Sequence, residues 1–69
     1  MRAHPILLQM KYARIVELFA KNNNLSLRDA LDFFYHSMTY DLMSHGISDM
    51  HCMSDLYLVD ELDRELVEP

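Results

Sequence analysis

The densest group of reactive side chains in this sequence is Asp49-Met50-His51-Cys52-Met53-Ser54-Asp55, with His45 just upstream. Imidazole, thiolate and carboxylate all ligate zinc. A structural zinc site takes four ligands, commonly in paired spacings such as CxxC and HxxxH. One cysteine beside one histidine supplies no such pair. Cys52 has one attribute of a nucleophile, since it sits just before a predicted helix and next to His51, and both features favour the thiolate. Neighbours along a chain rarely point at one another, however. So short a chain also leaves little room for a substrate pocket and an oxyanion site. The segment is therefore expected to be a junction in which Met50, Cys52 or Met53 plugs the core and His51 bonds backbone. No catalytic residue, metal or cofactor is expected, and the chain is not expected to be an enzyme.

Charge is the stronger signal. From Asp55 to Pro69 six acids (Asp55, Asp60, Glu61, Asp63, Glu65 and Glu68) stand against a single base, Arg64. The preceding residues balance, with Glu17, Asp29, Asp32, Asp41 and Asp49 set against Arg2, Lys11, Arg14, Lys21 and Arg28. The net charge of −5 thus belongs to the C-terminal segment. Such a surface repels nucleic acid and anionic membrane and attracts basic protein surfaces. Two short successive helices, Leu27–Phe34 and Met38–His45, raise the question of a helix-turn-helix. A recognition helix reads DNA with Arg, Lys, Asn or Gln, and Met38-Thr39-Tyr40-Asp41-Leu42-Met43-Ser44-His45 contains none of them. Direct nucleic-acid binding is not expected.

These residues must be positioned by helices. Pro5 suits a first helical turn, and Leu8, Tyr12, Ile15, Val16 and Phe19 recur at spacings of three and four. The first helix is predicted over about 5–21, ending at Asn22-Asn23-Asn24. Ile6, Leu7, Met10, Ala13 and Leu18 lie off its main face, so this helix is either central to its bundle or shared with a second chain. Ser26 followed by Asp29 resembles a capping box. It opens a helix over 26–36 with Leu27, Ala30, Leu31 and Phe34 as the buried stripe. Ser37 breaks or caps before a short helix over 38–45, and Gly46 stands where a left-handed C-terminal residue is wanted. Phe33, Tyr35, Tyr40, Leu42 and Met43 are further core candidates.

Residues 47–53 show no clear period and are predicted as a connecting loop. Ser54 then caps a helix over 54–67, with Asp55 in the first turn, where the helix dipole favours negative charge. Leu58, Leu62 and Leu66 repeat every four residues, with Leu56 and Val59 alongside. Asp60, Glu61, Arg64 and Glu65 form the opposite, acidic face. The expectation is an all-α, small four-helix single domain with Ile15, Phe19, Leu31, Phe34, Leu58 and Leu62 in its core.

At 69 residues the chain makes one domain, and such chains bury only ~60% of their unfolded surface. A partner subunit is a common remedy for so small a core. Cys52 is the only cysteine, which excludes an internal disulfide and fits a reducing compartment. Six methionines suit core gaps and adaptable surfaces alike. The apolar stretch Ile6-Leu7-Leu8 is too short for a signal peptide, and nothing approaches the ~20 apolar residues of a membrane span. A cytoplasmic location is expected.

Three stretches carry a resemblance: Asn24-Leu25-Ser26-Leu27; Ala30-Leu31-Asp32-Phe33-Phe34-Tyr35-His36-Ser37; and Gly46 to Asp55 with Tyr57-Leu58. From about Tyr12 to Glu65 the chain resembles a family of short bacterial proteins known only as a domain of unknown function. Members of that family often stand beside another small protein, in some cases one similar to ADP-ribosyltransferases. The resemblance implies an antitoxin-like arrangement in which a small acidic chain binds and neutralises a toxin-like neighbour. Charge and resemblance together give the leading expectation, a protein-interaction module that docks a basic partner. Its partner-binding residues are expected to be His51, Asp55, Tyr57, Asp60, Glu61 and Glu65. The alternatives are a homodimeric nucleic-acid-associated adaptor and a purely structural self-associating bundle.

Overall fold

The computed structural model describes residues 5–67. Four α-helices follow one another: α1 (Pro5–Asn22), α2 (Leu27–Tyr35), α3 (Met38–Ser44) and α4 (Asp55–Val67). A 3-10 segment, Ile47–Cys52, lies between α3 and α4, and no strand occurs among the described residues. Each helix falls where its local signals place it. Ser26 Oγ accepts from the Asp29 N–H, Ser37 Oγ from the Tyr40 N–H, and Ser54 Oγ from the Tyr57 N–H. Each serine thereby satisfies one of the donors a helix start leaves open. His45 closes α3, and Gly46 follows in the left-handed conformation at φ 66°. Asn24 also turns left-handed between α1 and α2, a conformation asparagine tolerates better than most residues.

The expected loop at 47–53 is instead the 3-10 segment, kinked at Ser48 and Asp49, whose φ values are 54° and 53°. So short a turn, interrupted by two left-handed residues, has no helical period to betray it in the sequence. Its role matches one of the expected ones, since Met50 is buried and Met53 packs against the core. Cys52 is exposed.

The core gathers Tyr12, Ile15, Val16, Phe19 and Ala20 from α1, Ala30 and Phe34 from α2, Met43 from α3, and Leu58, Val59 and Leu62 from α4. α2 folds back across α1, with Phe33 on Phe19 (ring centroids 5.3 Å) and Phe34 on Tyr12 (5.4 Å). Tyr40 of α3 completes an edge-on aromatic group with Tyr12, Phe34 and Tyr35. Burial and the neighbouring Tyr40 and Tyr35 push the Tyr12 phenol above its usual pKa, so it stays neutral.

Several expected core positions are corrected, Tyr35 and Leu66 among them, both of which are exposed. Leu31 is 36% exposed, because the buried line of α2 is Ala30–Phe34 and the next residue lies about 100° further round the helix. Leu27, the first residue of α2, is also exposed, at 54%. Leu56 is 71% exposed, since burial of Leu58, Val59 and Leu62 fixes the rotation of α4 and sends Leu56 to the far side. On α1, Ile6, Leu7 and Met10 are likewise exposed.

Candidate functional site

The acids of α4 divide into those that hold the fold and those that face outward. Asp55 belongs to the first group. Arg14 Nε donates to its Oδ2 at 2.8 Å, and Lys11 Nζ stands 3.7 Å from its Oδ1 while also donating to the Met53 carbonyl. This clasp ties the start of α4 and the end of the 3-10 segment to the first half of α1. The Arg14 hydrogen bond, helped by both positive charges, holds the Asp55 carboxyl below the usual aspartate pKa against the opposing effect of burial. A little over two turns further on, Asn23 Nδ2 donates to Asp63 at 2.8 Å. With contacts at both ends, α1 and α4 lie side by side and run in the same direction.

Glu65 serves the fold as well. Its carboxylate accepts from the N–H groups of Met38 (2.8 Å) and Thr39 (3.0 Å) and from the Thr39 hydroxyl. These are open donors of the first turn of α3, so Glu65 is a capping group supplied by another helix.

The outward group is different in kind from an acidic patch. At 3.6 residues per turn, Leu56, Tyr57, Asp60, Arg64 and Val67 fall within an arc of about 100° opposite the buried line of α4. All five are exposed, with Leu56, Tyr57 and Val67 at 71%, 44% and 77%. Glu61 sits at the edge of this arc and pairs with Arg64 at 3.3 Å. Of the six residues expected to bind a partner, Tyr57, Asp60 and Glu61 are therefore brought together. Asp55 and Glu65 are engaged within the chain. His51 is half-buried beside Gly46 and makes no side-chain hydrogen bond to backbone among the described residues. Glu68 lies outside the described residues.

Sequence reasoning missed Leu56 and Val67 as part of this face. The signal was present for Leu56, which is two residues, about 200°, from Leu58 and cannot share its direction.

Elsewhere, an open groove of about 470 Å³ is lined by Arg14, Glu17, Leu18, Lys21 and Asp55. Its two bases and two acids give no preference for the charge of a ligand. Among the described residues no three His, Cys, Asp or Glu side chains gather as a metal site, and no helix is long and apolar enough to cross a membrane. No protein-family model, curated protein or solved structure matches the chain.

Proposed function

We propose that this chain is a small, non-catalytic, cytoplasmic interaction module that binds a basic partner protein through the outer face of α4. One observation carries the reading: Leu56, Tyr57 and Val67 are exposed on the face that also carries Asp60, with Glu61 at its edge. Apolar and aromatic anchors beside charged side chains are what a specific protein interface uses. The anchors supply affinity by leaving water, and the charges select and steer the partner. A face meant only for solvent has no need of three large apolar side chains on its outside. The family resemblance supplies the class of partner, a toxin-like neighbour similar to ADP-ribosyltransferases. Inhibition would then follow from docking of this face, its apolar anchors with Asp60 and Glu61, on a basic, phosphate-binding surface.

The nucleic-acid adaptor receives less support. Lys11 and Arg14 are paired with Asp55, and Arg64 is paired with Glu61, which among the described residues leaves Lys21 and Arg28 to release counterions from phosphate.

The test begins with capture of proteins from the host extract on the tagged chain. One basic protein at near-equal stoichiometry is expected. Replacing Asp60 and Glu61 with Lys should then weaken its binding at least about tenfold at low salt. Unchanged affinity with intact helical circular dichroism rejects the docking face. Glu65 is left untouched in this test, because its loss would disturb α3.

A further inference from the structure

We infer that the outer face of α4 also pairs antiparallel with the same face of a second copy, covering the docking surface until a partner displaces it. This inference rests on the docking role of α4 given above. A twofold contact uses the same patch on both chains, so the patch must complement itself. Along this face of α4 the exposed residues run apolar (Leu56, Tyr57), acid (Asp60), base (Arg64), apolar (Val67). Read in reverse, the order is the same with acid and base exchanged. Asp60 and Arg64 each stand two residues from position 62, and Tyr57 and Val67 each stand five. With the twofold axis at the level of residue 62, Asp60 of each chain meets Arg64 of the other, whose guanidinium stays exposed beside its 3.3 Å contact with Glu61 and can serve both carboxylates. Leu56 and Tyr57 then meet Val67 at each end, and the Tyr57 ring also flanks the opposing guanidinium.

Charge also sets the direction. A parallel pairing in register would place Asp60 on Asp60 and Arg64 on Arg64, which is repulsive at both positions. Two chains of net charge −5 repel over most of their surfaces. Arg64 is the only base from Asp55 onward, and it lies on this face. The exposed apolar residues of α1, by contrast, offer no such ordering, because Pro5 to Met10 carry no charge to orient a second copy.

The size of the contact fits a reversible mask. Thirteen residues make α4 about 20 Å long. One helix face of that length falls well short of the ~800 Å² per partner of a standard stable interface. A weak dimer results, which a tighter-binding partner can open.

The experiment is sedimentation equilibrium of the full chain from micromolar to millimolar concentration at physiological salt. Four proteins are compared: the unaltered chain, Asp60→Arg, Arg64→Asp, and the chain carrying both changes. The unaltered chain is expected to dimerise. Each single change should weaken the dimer at least about tenfold by creating two like-charge contacts. The doubly changed chain should recover it, because the exchange restores complementarity. Both positions are exposed, so the fold is retained, and circular dichroism verifies this. A chain that stays monomeric to millimolar concentration overturns the inference. So does a dimer indifferent to the single changes, or one that the double change does not restore.

Partner capture by the same four proteins separates this inference from the docking role. A basic partner should be lost with Asp60→Arg and should not return in the doubly changed chain. Capture that ignores Asp60→Arg while dimerisation follows the charge exchange removes the docking role, and the mask with it.

Discussion

Glu65, near the end of the last helix, grips Thr39 at the start of the third by both its backbone N–H and its hydroxyl. The pair spans 26 positions of sequence and joins α3 to α4 where a local side chain alone would cap only one donor. Ser37 already caps the same helix from within, through the Tyr40 N–H. The short α3 is thus held by two acceptor side chains, one local and one remote. Seven residues make a helix too short to persist on its own.

Replacing Glu65 with Ala should therefore cost about 2 kcal/mol, typical for hydrogen bonds to a charged group. In a domain of this size that lowers Tm by roughly 10 °C. Amide exchange localises the effect: the Met38 and Thr39 amides should lose protection in larger proportion than those of α1. Equal loss everywhere would contradict a capping role.

The Asp55 clasp makes stability depend on acid. Its folded pKa is lowered by Arg14, so the stabilisation is complete above the unfolded value of about 3.9 and is lost as pH falls through the folded value. Urea midpoints of the unaltered chain and of Asp55→Asn should accordingly differ at neutral pH and converge toward pH 2. A difference that is constant with pH would mean that Asp55 acts by shape alone.

Leu58 and Leu31 test the burial pattern. Leu58 is fully buried, and Leu58→Ala should cost between about 2 and 5 kcal/mol, enough to threaten folding in so small a domain. Leu31 lies at the rim, and Leu31→Ala should stay within about 1 kcal/mol. Denaturant titration of the pair decides it, and similar losses would return Leu31 to the core.

Gly46→Ala isolates a backbone effect. An added Cβ would meet the His51 ring at 3.9 Å, an ordinary contact, so space is not the obstacle. The left-handed φ of 66° is, and it should cost about 1 to 2 kcal/mol. Gly46→Asn should lose less than Gly46→Ala, as measured by thermal unfolding, because asparagine accepts this conformation more readily.

The local elements of this fold were legible in the sequence because their causes are local. A serine caps a helix within three residues, as Ser26, Ser37 and Ser54 do, and Gly46 ends one within a single residue. The spacing of Tyr12, Ile15, Val16 and Phe19 named the buried side of α1 for the same reason, since a 3.6-residue period is set by neighbours along the chain. The 3-10 turn at 47–52 escaped notice because it is too short to have a period of its own.

The candidate site was legible only in its charge. The sequence by itself determined that α4 would be acidic and amphipathic, and it could count its carboxylates. Only the tertiary structure decided which of them were available. Asp55 finds Arg14 across 41 positions and Glu65 finds Thr39 across 26, and neither partner is implied by anything nearby in the chain. The rotation of α4 was decided at the same level. Once Leu58, Val59 and Leu62 entered the core, Leu56 and Val67 were carried outward beside Asp60 and Arg64. Burial of one side of a rigid helix compels the exposure of the other, and that constraint turned an acidic stretch into a mixed apolar and charged face.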